Sequence, residues 1–159
     1  MTLDIRFGEP RDVRLITQLI GDLARYEKLE HELKADDEKV AKALFGGRPY
    51  AETLIAEDAG EPVGFALFFH NFSTFLAQPG IYLEDLFVKP EARGRGVGRA
   101  LLESLARIAV ERDCGRLEWA VLDWNKDAIR FYERLGAKPN FEWTVYRLAG
   151  ESLHALAGQ

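Results

Sequence analysis

Apolar and polar residues alternate first at Leu3, Ile5 and Phe7, the period-two pattern of a half-buried strand. Pro10 follows, a residue tolerated at a helix start because the N–H it lacks has no partner there. From there Val13, Ile16, Leu19, Ile20 and Leu23 recur at three- and four-residue spacing, which predicts an amphipathic helix to about Leu29. A shorter helix is expected over Asp37 to Phe45, stopped by Gly46-Gly47. Tyr50 to Glu57 and Pro62 to His70 read as strands of a hairpin, turned by Asp58-Ala59-Gly60-Glu61. Asn71 to Gly80 is polar and aromatic and reads as a loop. Ile81 to Val88 is expected to be a strand, apolar throughout except at Glu84 and Asp85, and ended by Pro90. Val97, Leu101, Leu105 and Ile108 share one face of a helix spanning Gly98 to Arg112. A strand over Leu117 to Leu122, a helix over Lys126 to Leu135 stopped by Gly136, and a last strand over Phe141 to Leu148 complete the pattern. The order β-α-α-β-β-β-α-β-α-β, without repeats or linkers, supports a mixed α/β (α+β) single domain over residues 1–159.

Composition narrows the function. A chain of 159 residues suits one domain, large enough to bury a core without disulfide or metal staples. The net charge of −5 and pI near 5.3 disfavour duplex nucleic acid as a partner, because such binding needs cations to displace counterions. The same charge attracts a cationic substrate. Cys114 is the one cysteine, which excludes an internal disulfide and a multi-thiolate zinc site. His31, His70 and His154 are too scattered to suggest a metal cluster, so no metal is expected. No apolar run reaches the length of a membrane span, and the N-terminus reads as a strand rather than a leader. A soluble, cytoplasmic protein without membrane partners is the expectation.

The most informative stretch runs from Glu84-Asp85-Leu86-Phe87-Val88 through Arg93-Gly94-Arg95-Gly96-Val97-Gly98-Arg99. A buried strand ends, a basic glycine-rich loop follows, and a helix begins. The N–H groups at a helix start are unpaired and carry partial positive charge. Glycines let a ligand approach the backbone closely, and Arg93, Arg95 and Arg99 add full charge. Together these make a cradle for a pyrophosphate. The dinucleotide pattern G-x-G-x-x-G fails in both registers, with Arg99 or Leu101 at the third glycine, and no P-loop run exists. A helix entry that binds nothing is the plainer alternative.

Arg93-x-x-Gly96-x-Gly98 resembles the [QR]-x-x-G-x-[GA] loop of the GNAT superfamily of acyl-CoA N-acyltransferases. Two further blocks are similar to its diamine (spermidine/spermine) acetyltransferase branch: Ile81-Tyr82-Leu83-Glu84-Asp85-Leu86-Phe87-Val88, and Trp124-Asn125-x-x-Ala128-Ile129-x-Phe131-Tyr132-Glu133-Arg134-Leu135-Gly136-Ala137. The resemblance covers essentially the whole chain. It implies a mostly antiparallel sheet, splayed to admit a pantetheine arm, and an acetyl-CoA-dependent transfer to a primary amine. By the same resemblance, backbone groups of Leu86, Phe87 and Val88 pair with the pantetheine amides. The loop from Arg93 through Gly94, Arg95, Gly96, Val97, Gly98 and Arg99 holds the pyrophosphate, and Asn125 touches the cofactor near its sulfur. Tyr132 protonates the departing thiolate, and Glu84 is the base, acting through a water. Asp85 helps hold the cationic substrate, and Tyr26 and Glu27 line the acceptor site. A homodimer with the last strand at or across the interface is also implied.

The chemistry asks for such groups independently. An amine arrives protonated and must lose a proton before attack, and a phenol can donate to a thiolate. Alternation on a strand sends Glu84 and Asp85 to opposite faces, Glu84 with Leu86 and Val88, Asp85 with Leu83 and Phe87. Either carboxylate, Asp85 more than Glu84, is also open to a structural ion pair with an arginine, and Tyr26-Glu27 to being a solvated helix end. Trp119, Trp124 and Trp143 are expected in the core, Cys114 as a buried inert thiol, and His70 as structural. The loop before Glu84 lacks the acidic residue and tryptophan of the polyamine enzymes. A shorter amine, or a lysine- or thialysine-like side chain, fits at least as well. Competing readings are a protein lysine or N-terminal acetyltransferase, a non-catalytic acyl-CoA sensor, and a nucleotide-binding regulatory domain.

Overall fold

In the computed structural model, which describes residues 1–159, the first alternation forms strand β1 (Leu3–Phe7). Helix α1 (Val13–Tyr26) follows a short turn over Pro10–Asp12. It stops before the expected Leu29 because Lys28 adopts a positive φ of 62° and takes the chain out of the helical path. Helix α2 (Asp37–Phe45) starts where the Asp36 carboxylate accepts the Lys39 N–H at 2.8 Å, which satisfies one of the otherwise unpaired first-turn donors. Strands β2 (Glu52–Asp58), β3 (Glu61–Ser73) and β4 (Gln78–Val88), helix α3 (Val97–Glu111) and strand β5 (Leu117–Trp119) come next.

The strands lie in the order β1-β2-β3-β4-β5. All neighbours are antiparallel except β4 and β5, which run parallel. Phe65 and Phe87 sit opposite each other and bury against Leu19 and Leu23 of α1. Ile55, beside Phe65 on β2, packs with Ile16, Val40 and Leu44, so α1 and α2 cover the same sheet face. The other face takes α3, which presses Val97 onto Gly64. A Cβ at Gly64 would stand 2.7 Å from the Phe87 carbonyl oxygen and 3.4 Å from the Val97 side chain, so glycine is needed there for close approach.

Three expectations change. Residues 71–80, read as a loop, are the outer part of the β3–β4 hairpin, with Asn71, Phe72 and Ser73 paired to Gly80, Pro79 and Gln78. Only residues 74–77 turn, helped by a positive φ of 52° at Ala77. Strand β5 ends at Trp119 rather than Leu122. The strand expected over Phe141 to Leu148 does not form.

Residues 1–120 make one compact unit and residues 121–159 another. The second holds helices α4 (Lys126–Arg134) and α5 (Gly150–Leu156), the latter not anticipated from the sequence. This unit contains no strand, so the alternating run Phe141, Trp143, Val145 has no ladder partner within it, and a lone strand leaves its backbone groups unpaired. Phe141, Trp143, Val145 and Tyr146 are 75–93% exposed, so Trp143 is not a core residue, and Trp124 is half-exposed.

One charged side chain is buried within the first unit's fold. Asp12 is 5% exposed and accepts from both terminal nitrogens of Arg6, at 2.8 and 3.0 Å, and from the Glu9 N–H at 2.8 Å. Arg6 also pairs with Glu57 of β2. These bonds tie β1, the turn before α1 and β2 together. The Arg6 guanidinium holds the Asp12 carboxyl below the ordinary range. Because that pKa is depressed, the stabilisation is present above the unfolded-chain value near 4 and lost as pH falls through the folded one. Asp12→Ala should cost about 2–3 kcal/mol near pH 7, less than for a fully buried pair because Arg6 keeps some solvent. Thermal melts should show that deficit shrinking below pH 4.

Candidate active site

Strict alternation breaks in the middle of β4. Leu67 pairs with Asp85, but its neighbour Phe68 pairs with Leu83, so Glu84 is an extra residue. Such a bulge gives two residues one opposite number and re-aims the side chains around it. Leu67 and Phe68 face opposite sides of the sheet, and therefore so do Asp85 and Leu83. The expectation that Asp85 shares a face with Leu83 is thereby corrected.

The bulge gathers charge. Asp85 is half-buried on the α1 face. Burial, then the charges of Glu84 and Glu27, push its pKa up to about 7. Glu27, just past the end of α1, is also raised, by burial and then by Glu84. Three carboxylates thus come together, and Glu84 and Glu27 both act on Asp85 with like charge. The arginine ion pair that the sequence left open is not made. A like-charge cluster without a cation raises carboxylate pKa values and favours a positively charged ligand.

β4 also loses its outer neighbour at this point. The pairing with β5 ends at Leu83 and Trp119. The stretch Glu84, Leu86, Phe87 and Val88 therefore carries backbone groups on an edge that no strand of the sheet covers. An extended chain can add to such an edge.

Past β4 the chain makes a turn over Pro90–Ala92 and enters α3. Gly94 and Gly96 adopt positive φ of 73° and 86°, values that only glycine takes without strain. Gly96 precedes α3, and no side chain caps the helix and no acidic residue sits in its first turn. The amides of Val97, Gly98 and Arg99 are therefore available to an anion. Arg95 lies 3.6 Å from Asp58, and Arg99 pairs with Glu103 at 2.8 Å, both at the surface. Arg93 turns the other way. Its Nε donates to the Val88 carbonyl at 2.8 Å, and its guanidinium stacks 4.7 Å from the Tyr26 ring and 5.5 Å from Phe87. Tyr26 in turn stands 6.5 Å from Phe87. Tyr26 and Arg93 thus come together as one aromatic-cation stack at the end of β4.

Asn125 and Tyr132 belong to the C-terminal unit and share α4. The Asn125 side chain accepts the Ala128 N–H at 3.4 Å as the helix cap. Tyr132 is half-buried, its ring 5.5 Å from Phe131.

Two groups differ from their sequence reading. Cys114 is only half-buried and stands 3.8 Å from His70 Nδ1, although the two are far apart in sequence. His70 Nδ1 lies 3.0 Å from the Gly80 carbonyl, and Nε2 lies 2.9 Å from Arg112. Those partners place the proton on Nδ1 and leave Nε2 as acceptor. The Cys114 thiol, pushed up by burial, faces no base. Tyr82 was missed: it stacks 5.3 Å from Phe69, and burial and then Glu84 raise its pKa.

Residues 16–137 match the acetyltransferase (GNAT) family. The chain is 39% identical over 166 residues to a thialysine N-epsilon-acetyltransferase of Bos taurus, covering 98% of this chain and 97% of that protein. It is 33% identical over 197 residues to an L-ornithine N5-acetyltransferase of Arabidopsis thaliana, with 96% and 86% covered. The solved structure of an integron cassette protein from the mobile metagenome of V. cholerae aligns with a TM-score of 0.83 at 29% identity, covering 100% and 99% of the two chains. With a family match through most of its length and relatives along the whole of it, this chain belongs to the GNAT acetyltransferases and is an N-acetyltransferase.

Proposed function

We propose that this chain transfers the acetyl group of acetyl-CoA to the primary amine of a small cationic substrate, of the lysine-like, diamine or polyamine class. The observation that carries this reading is the cluster of Glu27, Glu84 and Asp85 at the point where β4 parts from β5. The names of the thialysine and ornithine relatives agree with it. We also read the two units as one working domain, since the family match runs from 16 to 137, across their boundary.

The residues present fit acetyl-CoA. The uncapped start of α3 and the open space around Gly94 and Gly96, where a Cβ would meet nothing within 4 Å, suit a pyrophosphate. The edge over Leu86, Phe87 and Val88, which no strand covers although Arg93 donates to the Val88 carbonyl, suits an amide-bearing arm, with Asn125 toward its sulfur end. Acetyl-CoA supplies an activated thioester. Asp85 and Glu27 draw the ammonium in, with Tyr26 beside them. Glu84, the exposed member of the three, takes the amine proton through a water. Tyr132 holds a phenolic proton for the sulfur. No metal enters this scheme. The site serves a small molecule, not nucleic acid or a membrane, and no helix is long and apolar enough to cross one. The free Cys114 thiol suits a reducing cytoplasm.

Free-thiol release from acetyl-CoA should depend on a primary amine when lysine, thialysine, putrescine, spermidine and a histone-tail peptide are compared. Thiol release with none of them would overturn the reading. Tyr132→Phe should lower kcat by about 10²-fold or more while leaving the acetyl-CoA KM within a few-fold; unchanged turnover at saturation would remove Tyr132 from the reaction.

Asp85 gives a pH test. Below about pH 7 it holds a proton and attracts a cation less, so the amine KM should rise as pH falls from 8 to 6, and Asp85→Asn should flatten that slope. A raised carboxyl pKa stabilises the fold fully below its unfolded value and loses that contribution as pH rises through about 7. Asp85→Asn should therefore melt higher than the parent at pH 8 and alike at pH 4.

We further propose a homodimer, supported by the exposed Phe141, Trp143, Val145 and Tyr146. Light scattering at micromolar concentration should give twice the chain mass, and a monomer would refute it.

A further inference from the structure

β2 begins at Glu52, paired with Phe68, whereas β3 runs on to Ser73. Beyond Phe68, β3 therefore has no β2 beside it. A cleft of about 590 Å³ opens there, lined by Phe7, Phe45, Tyr50, Thr53, Phe69 and His70 among others. This volume lies within the usual range for a small-molecule site.

The cleft belongs to the same sheet face as Asp85. Thr53 pairs with Leu67, and Leu67 with Asp85, in one row across three strands. That row places Thr53 about 10 Å from Asp85, a reach comparable with an extended six-carbon amine. Phe69 and Tyr82, opposite each other in the next row of that face, stack at 5.3 Å and form an aromatic path between the cleft and the bulge.

The polar groups of the cleft are mostly committed. Glu52 accepts both terminal nitrogens of Arg112, at 2.7 and 3.0 Å, and His70 is held by Gly80 and Arg112. A second ammonium would find no unpaired carboxylate here. The Thr53 hydroxyl oxygen is different: it is buried and has no hydrogen-bond partner, although its residue is only 3% exposed. Gly8 keeps room beside it, since a Cβ there would fall 2.0 Å from that oxygen. Tyr50, an exposed residue of the lining, has the Arg48 guanidinium 5.8 Å from its ring centre. The ion pairs of the structure do not involve Arg48, and its charge is free for an anion.

We propose that this cleft reads the non-reacting end of the acceptor: its aromatic walls take an apolar chain and Arg48 takes a terminal carboxylate, so the acceptor is an ω-amino acid rather than a diamine. The assignment rests on the acetyltransferase reading above and narrows its substrate class.

The test compares amines that share one chain and differ at the far end: 6-aminohexanoate, hexylamine and 1,6-diaminohexane. The kcat/KM for 6-aminohexanoate should exceed that for hexylamine by about tenfold, the scale of a charge-assisted hydrogen bond, with the diamine lowest. Arg48→Gln, at an exposed position, should erase the carboxylate's advantage and leave hexylamine unchanged. Phe69→Ala should raise KM for all three six-carbon amines and not for ethylamine. A diamine that outruns the other two, or an Arg48→Gln effect equal on all three, would overturn the proposal. Calorimetric titration with 6-acetamidohexanoate, which needs no turnover, separates the two readings. Saturable binding weakened about tenfold by Arg48→Gln supports the cleft even if no amine is acetylated, a result that would fault only the transferase reading. No binding, or binding indifferent to Arg48, overturns the cleft.

Discussion

The register break in β4 is the constraint on which the rest of this structure depends. One extra residue at Glu84 turns Asp85 toward α1, where alternation alone would put Leu83 and Asp85 on one side. Near the same residue the parallel ladder with β5 ends. The two events have one effect: a stretch of backbone in the middle of a sheet is left without a strand on one side. Burying unpaired peptide groups is costly, so a sheet keeps such an edge only where something else is to occupy it.

Around that edge the charges are sorted by sign. The carboxylates of Glu27, Glu84 and Asp85 collect at the bulge. The partial positive charge of the α3 N-terminus, with Arg95 and Arg99 near it, lies past the end of β4. On the proposed reaction, a molecule that is anionic at one end and a second that is cationic are thus directed to different ends of one strand segment. Arg93 joins neither group. It locks the end of β4 to Tyr26 through stacking and a bond to Val88, so it braces the wall between them.

Much of this was legible in the sequence, for reasons that can be named. Helices α1 to α3 bury one face each and β1 alternates, which writes a period of 3.6 or 2 into the chain, while β2 to β4 lie between helices on both faces and show as apolar runs. The glycine loop was legible because positive φ at Gly94 and Gly96 demands glycine. The bulge was not, since period-two reasoning assumes that no residue is inserted, although adjacent acids inside an apolar strand were a signal. The run Phe141, Trp143, Val145 has the alternation of a strand, yet pairing depends on a partner that local pattern cannot supply. The hairpin end was hidden for the opposite reason: residues 71–80 have loop-like composition, and the ladder overrides it. The contact between Cys114 and His70 and the stack of Phe69 on Tyr82 arise from topology and leave no trace in local sequence.

The carboxylate cluster has a consequence for the end of the reaction. In the proposed reaction an amine enters as a cation, and the three acids are the groups that would hold it by charge. Acetylation turns that cation into a neutral amide. The product keeps the substrate's shape but loses the charge that the cluster would select, while Asp85 again faces the like charges of Glu84 and Glu27. On that proposal, the arrangement that gathers substrate from dilute solution also releases product without a moving part, and the chemistry itself sets the direction of traffic through the site.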